Sequence, residues 1–87
     1  MMRIAILGAA GAMAAVVRQD IAAFAPEAQV TIADRRWPTA KFPNEQEAIV
    51  EVSDEAATAQ LLAGHDAVLN CVTYYWNLPV MRAALTA

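Results

Sequence analysis

Apolar residues along the chain gather into four short runs, separated by stretches with helical spacing or by proline. The first run, about Arg3 to Leu7, is apolar from Ile4 onward and passes straight into Gly8-Ala9-Ala10-Gly11-Ala12-Met13-Ala14. Met13, Val17, Ile21 and Phe24 then recur at helical spacing, with Arg18, Gln19 and Asp20 on other faces. This predicts a helix from about Gly11 to Ala25, stopping before Pro26 because the residue ahead of a proline resists helix. A second strand follows at about Gln29 to Ala33, where Val30 and Ile32 are apolar and Thr31 is β-branched; Asp34-Arg35-Arg36 end it. Between Trp37 and Glu47, Pro38 and Pro43 stand where a crossover helix would run, so one turn at most is expected there, then loop. A third strand is expected at about Ala48 to Val52. Ser53 or Asp54 caps a helix from about Glu55 to Ala63, which Gly64 closes. The fourth strand, Ala67 to Val72, is nearly all apolar, the pattern of a strand buried on both faces. Asn77 caps a last helix and Pro79 is tolerated in its first turn.

Strands alternating with helices predict an α/β fold: a parallel sheet with right-handed crossovers, in strand order 3-2-1-4. The order strand, glycine turn, helix opens a dinucleotide-binding βαβ unit of Rossmann type. Gly8 can take the tight turn off the strand, where a Cβ is costly. Gly11 lets the backbone approach a pyrophosphate, and Ala14 is small enough for the helix to pack on its strand. The spacing matches the looser G-x-x-G-x-x-(G/A), since Ala10 and Met13 stand where the strict motif has glycine. The helix start, with its free N–H groups and positive dipole end, would face the phosphates.

Asp34 ends the second strand twenty residues after Ala14. An acid at this place accepts hydrogen bonds from the adenosine ribose hydroxyls and favours NAD. Arg35 and Arg36 follow at once, and a guanidinium there can bind a 2′-phosphate or lie on the adenine face, which favours NADP. The residues leave both open.

Composition narrows the class. The chain has 87 residues, so it holds one domain; half of a dinucleotide-binding fold fits and a substrate domain does not. Apolar residues make up 59%, which suggests surface that another segment or subunit covers. A net charge of −3 argues against a nucleic-acid partner. The uncharged stretch from Ile4 to Val17 after Arg3 has the look of a secretory leader, but the helical stripe runs on past any cleavage site. That stretch is also too short for a membrane span, so no membrane partner is expected. The single cysteine, Cys71, excludes an internal disulfide and suits a reducing cytoplasm.

The glycine turn GAAGAM, the VTIADR ending of the second strand and the segment HDAVLNCVTYYWNLPVMRAAL together resemble the N-terminal cofactor domain of the saccharopine dehydrogenase-like oxidoreductases. The resemblance covers nearly all of the chain. It implies NAD(P) binding on a Rossmann domain, with NADP favoured, and action on an amino-acid-derived imine or related carbonyl from a second domain. By position it implies that Gly8, Gly11, Ala12 and Met13 line the pyrophosphate and that Asp34 and Arg35 hold the adenosine ribose. Cys71, Val72 and Thr73 would pass beside the nicotinamide ribose, and Tyr74 to Asn77 would border the catalytic cleft.

The chain departs from the family in four ways. Ala14 stands for glycine, Ser53 for the usual acid after the third strand, prolines break the second helix, and the sequence ends at Ala87. It therefore reads as an incomplete N-terminal part whose catalytic residues lie elsewhere and which is expected to be inactive by itself. A non-catalytic NAD(P)-binding sensor of NmrA-like type shares the glycine turn and is the alternative. That class more often carries threonine or serine within the turn, where this chain has alanines. His65 has no partner at metal-ligand spacing, so no metal site is expected. Tyr74, Tyr75 and Trp76 are either a substrate wall or a patch for a further domain. With its sheet ending at an unguarded apolar fourth strand, the chain is expected to self-associate.

Overall fold

The structure, a computed structural model, describes residues 2–35, 41–72 and 77–87. Among these residues the elements run β1 (Arg3–Leu7), α1 (Ala12–Phe24), β2 (Gln29–Asp34), β3 (Glu45–Ile49), α2 (Glu55–Leu62), β4 (Ala67–Asn70) and α3 (Asn77–Thr86). The strands form one parallel sheet in the order β3-β2-β1-β4, the order that the alternation predicts. The central pair is in register from Arg3 opposite Gln29 to Leu7 opposite Ala33.

The alternation of β-strand side chains sorts the core into two layers. Ile4, Ile6, Val30 and Ile32 face α1, where Ala14 is buried and Val17 and Ile21 pack beside it. Ala5, Leu7 and Ala33 face the other way, against Leu62 of α2 and Val80 and Ala83 of α3. Ile6, Leu7 and Ile32 have no exposed surface, and each contributes about 1.5–3 kcal/mol of hydrophobic stabilisation.

Asp54, rather than Ser53, caps α2: its side chain accepts from the Ala57 N–H at 3.1 Å. Gly64 then reverses the chain with φ +80°, a conformation that L side chains rarely adopt.

Three expectations are corrected. The third strand runs Glu45–Ile49 instead of Ala48 to Val52. As the edge of the sheet it needs only one face packed; Val50 and Val52 are buried, but beyond the strand, in the α2–α3 layer. The fourth strand stops at Asn70 and is exposed at Ala67, Leu69 and Asn70 rather than buried on both faces, because it forms the opposite edge. On α1, Met13 and Phe24 are 75% and 84% exposed. The buried stripe lies instead on Ala14, Arg18 and, in part, Val17 and Ile21, so Arg18 faces the sheet. Of the proline-containing segment, residues 41–44 run through a turn into β3; Trp37 and Pro38 lie outside the described residues.

Candidate dinucleotide site

The carboxyl ends of β1, β2 and β4 come together around the glycine turn. The turn is anchored first to β2: the Gly8 and Ala9 N–H groups both donate to the Ala33 carbonyl, at 2.9 and 3.1 Å. Gly11 N–H then donates back to the Gly8 carbonyl at 3.1 Å. Gly8 has φ +75°, and a Cβ built on it would lie 2.8–2.9 Å from the backbone of Cys71 and Val72. Glycine is therefore required twice over, for the left-handed turn and for the passage of the chain leaving β4. Cys71 N–H donates to the Leu7 carbonyl at 2.9 Å and holds that close approach.

Gly11 differs. It is the N-cap of α1 in an extended conformation, and among the described residues a Cβ there would meet only the Gly8 carbonyl oxygen, at 3.4 Å. Having no side chain, it leaves α1 uncapped, and the first turn carries no acid. The N–H groups of Ala12, Met13 and Ala14 have no intrahelical acceptor. Together with the positive end of the helix dipole they suit an anion. Ala12 and Met13 are exposed at this end, whereas Ala14 is buried against the sheet.

Asp34 closes the site on the β2 side. Its Oδ2 accepts from the Ala10 N–H at 2.9 Å and its Oδ1 from the Arg35 N–H at 2.7 Å. It is half-buried, while Arg35 is exposed next to it. The acid and the glycine turn, twenty-four residues apart, are thus one hydrogen-bonded unit. On the β4 side, Asn70 Oδ1 accepts from the Val72 N–H at 3.2 Å, and Cys71 and Val72 are half-buried. Burial pushes the Cys71 thiol above its usual range, which opposes a role as nucleophile. Thr73, Tyr74, Tyr75 and Trp76 lie outside the described residues. His65 sits in the turn before β4, with Nε2 2.8 Å from the Thr31 hydroxyl. Among the described residues no group of three His, Cys, Asp or Glu side chains could hold a metal ion. No described helix is long and apolar enough to cross a membrane.

Two residues beneath the turn escape a reading by type alone. Arg18 is 7% exposed; its Nε and Nη2 both donate to the Glu45 carboxylate at 2.8 Å, and its Nη1 donates to the Ala9 carbonyl at 3.2 Å. Glu45 Oε1 also accepts from the Phe42 N–H at 2.7 Å, and the guanidinium lies 5.8 Å from the centre of the Phe42 ring. The pairing with Glu45 raises the Arg18 pKa despite burial. The available signal was positional: residue 18 lies four beyond Ala14 and three before Ile21, on the buried stripe itself.

A parallel sheet whose first strand turns through glycine into an uncapped helix, beside an acid that ends the second strand, defines a dinucleotide-binding domain of Rossmann type. The family model "Saccharopine dehydrogenase NADP binding domain" matches residues 4–87, and the chain belongs to this family of NAD(P)-binding domains. No curated protein matches it. Among solved structures it is similar to a Rossmann-fold NAD(P)-binding family protein from Shigella flexneri, with 26% identity and a TM-score of 0.82 over 95% of this chain and 45% of that one. It is also similar to saccharopine dehydrogenase (L-Glu forming) from Saccharomyces cerevisiae, with 23% identity and a TM-score of 0.80 over 98% of this chain and 20% of that one. A uronate dehydrogenase mutant from Agrobacterium tumefaciens, solved in complex with NAD, has 23% identity and a TM-score of 0.76 over 97% of this chain and 36% of that one. The chain thus spans less than half the length of each of these structures.

Proposed function

We propose that this chain is the cofactor-binding part of an NAD(P)-dependent oxidoreductase, with NADP preferred, acting on an amino-acid-derived imine or related carbonyl. The pyrophosphate rests on Gly8, Gly11, Ala12 and Met13, and the adenosine ribose on Asp34 and Arg35. Cys71, Val72 and Thr73 border the nicotinamide half. The bound dinucleotide supplies hydride transfer; the residues named here bind and orient it.

The observation that carries this reading is the convergence of the uncapped α1 start and the Asp34 carboxylate at one end of the sheet. The preference for NADP is supported by the exposed Arg35 at the end of β2, beside the Asp34 carboxylate. The imine or carbonyl substrate is supported by membership of the saccharopine dehydrogenase family. Fluorescence titration with NADPH and NADH tests the reading: saturable binding of both, tighter for NADPH, is expected, and no binding of either would refute it.

A further inference from the structure

A buried Arg–Glu pair stabilises a fold no better than apolar residues of similar volume would. Its presence between α1 and β3 therefore calls for a second reason. Arg18 reaches three places at once: Glu45 on the edge strand, the Phe42 ring before that strand, and the Ala9 carbonyl inside the glycine turn. A leucine could fill the same space but could not restrain a carbonyl. The Ala9 carbonyl leads into the Ala10 N–H, which Asp34 binds. Arg18 and Asp34 thus hold the two sides of one peptide plane, directly ahead of the helix start that faces the phosphates.

Resting on the function proposed above, we infer that Arg18, oriented by Glu45, is a positioning residue for the dinucleotide: it sets the Ala9–Ala10 peptide and so aims the N–H groups that bind the pyrophosphate. It does not touch the cofactor itself. Glu45 fixes the guanidinium through two parallel hydrogen bonds, a geometry that arginine provides and lysine does not.

Two variants of this chain test the inference. Arg18→Lys keeps the charge opposite Glu45 but loses the fork that also reaches Ala9. Arg18→Met combined with Glu45→Leu removes both charges and leaves none buried alone. Melting temperature, NADPH affinity and amide exchange without cofactor are measured for each. The expected result, in whichever variant melts like the wild type, is NADPH binding weaker by about ten- to a hundredfold, the equivalent of one charge-assisted hydrogen bond. Exchange at Ala10 and Gly11 should quicken while that at Ile6 stays slow. Wild-type affinity and exchange in a folded variant would overturn the inference. Loss of fold in both variants would also overturn it, since the pair would then be purely structural. Failure of the wild type to bind NADPH or NADH is a different result, and refutes the function rather than the role of Arg18 in the turn.

Discussion

Asp34 Oδ2 accepts the Ala10 N–H at 2.9 Å, so the acid that ends β2 is bound to the turn that ends β1. An Asp at this position is usually read for what it does to a ribose. Here it also shapes the glycine turn, and the two roles separate by substitution. Asp34→Asn keeps one acceptor oxygen and sets an NH2 group against the other backbone donor. Stability should fall by about 1–2 kcal/mol, seen in urea unfolding. The ratio of NADPH to NADH affinity should rise, because a negative charge next to the 2′-phosphate is gone. Arg35→Ala should do the opposite and weaken NADPH about tenfold more than NADH. Equal losses for both cofactors would remove Arg35 from the 2′-phosphate.

The two glycines of the turn should fail in different ways. At Gly8 a methyl group meets Cys71 and Val72 backbone at 2.8–2.9 Å in a left-handed conformation. Gly8→Ala should therefore destabilise the fold by at least about 2 kcal/mol, read from thermal melting. At Gly11 the backbone is extended and the space nearly open. Gly11→Val should melt within about 1 kcal/mol of the wild type yet lose NADH and NADPH binding in a fluorescence titration. Retained affinity would exclude Gly11 from the phosphate site.

Glu55 and Arg82 join α2 to α3 at the surface, with Nε donating to the carboxylate at 3.0 Å. The Arg82 hydrogen bond holds the Glu55 carboxyl below its usual value of 4.5. A lowered folded-state pKa gives stability that is complete above the unfolded value and lost as pH falls through the folded one. Acid unfolding should therefore steepen below about pH 4.5, and Arg82→Ala should flatten that limb by lowering stability slightly at neutral pH, the two proteins converging at low pH. Added salt should erase the difference. A pH profile of Arg82→Ala that parallels the wild type would show that the pair contributes nothing.

β4 presents an edge on which Ala67 and Asn70 are exposed and Leu69 is 36% exposed, and on α3 Leu78, Met81 and Leu85 are also exposed. Open edges with unpaired backbone groups recruit other chains. Sedimentation velocity of this chain at micromolar concentration should show dimers or larger species, and Leu69→Lys should shift them toward monomer. A single monomeric boundary for the wild type would rule out pairing through this edge.

The local pattern alone determined much of this protein. The β1 bounds, the α1 stop ahead of Pro26, the placing of α2 between a cap at Ser53 or Asp54 and Gly64, and the strand order 3-2-1-4 all follow from hydrophobic period and turn chemistry. The reason is that each depends on residues next to one another in the chain, or on the handedness of crossovers. Tertiary structure decided the rest. The run Ala48 to Val52 is the more strand-like, yet Glu45–Ile49 pairs with β2, because an edge strand needs one packed face and Arg18 neutralises Glu45 there. Arg18 reads as a surface residue until Glu45, twenty-seven positions away, supplies the carboxylate that makes its burial favourable. Gly8 reads as a turn residue, but its second constraint comes from Cys71, brought alongside only when β4 pairs with β1. Pairing partners distant in sequence set these outcomes, and no window along the chain contains them.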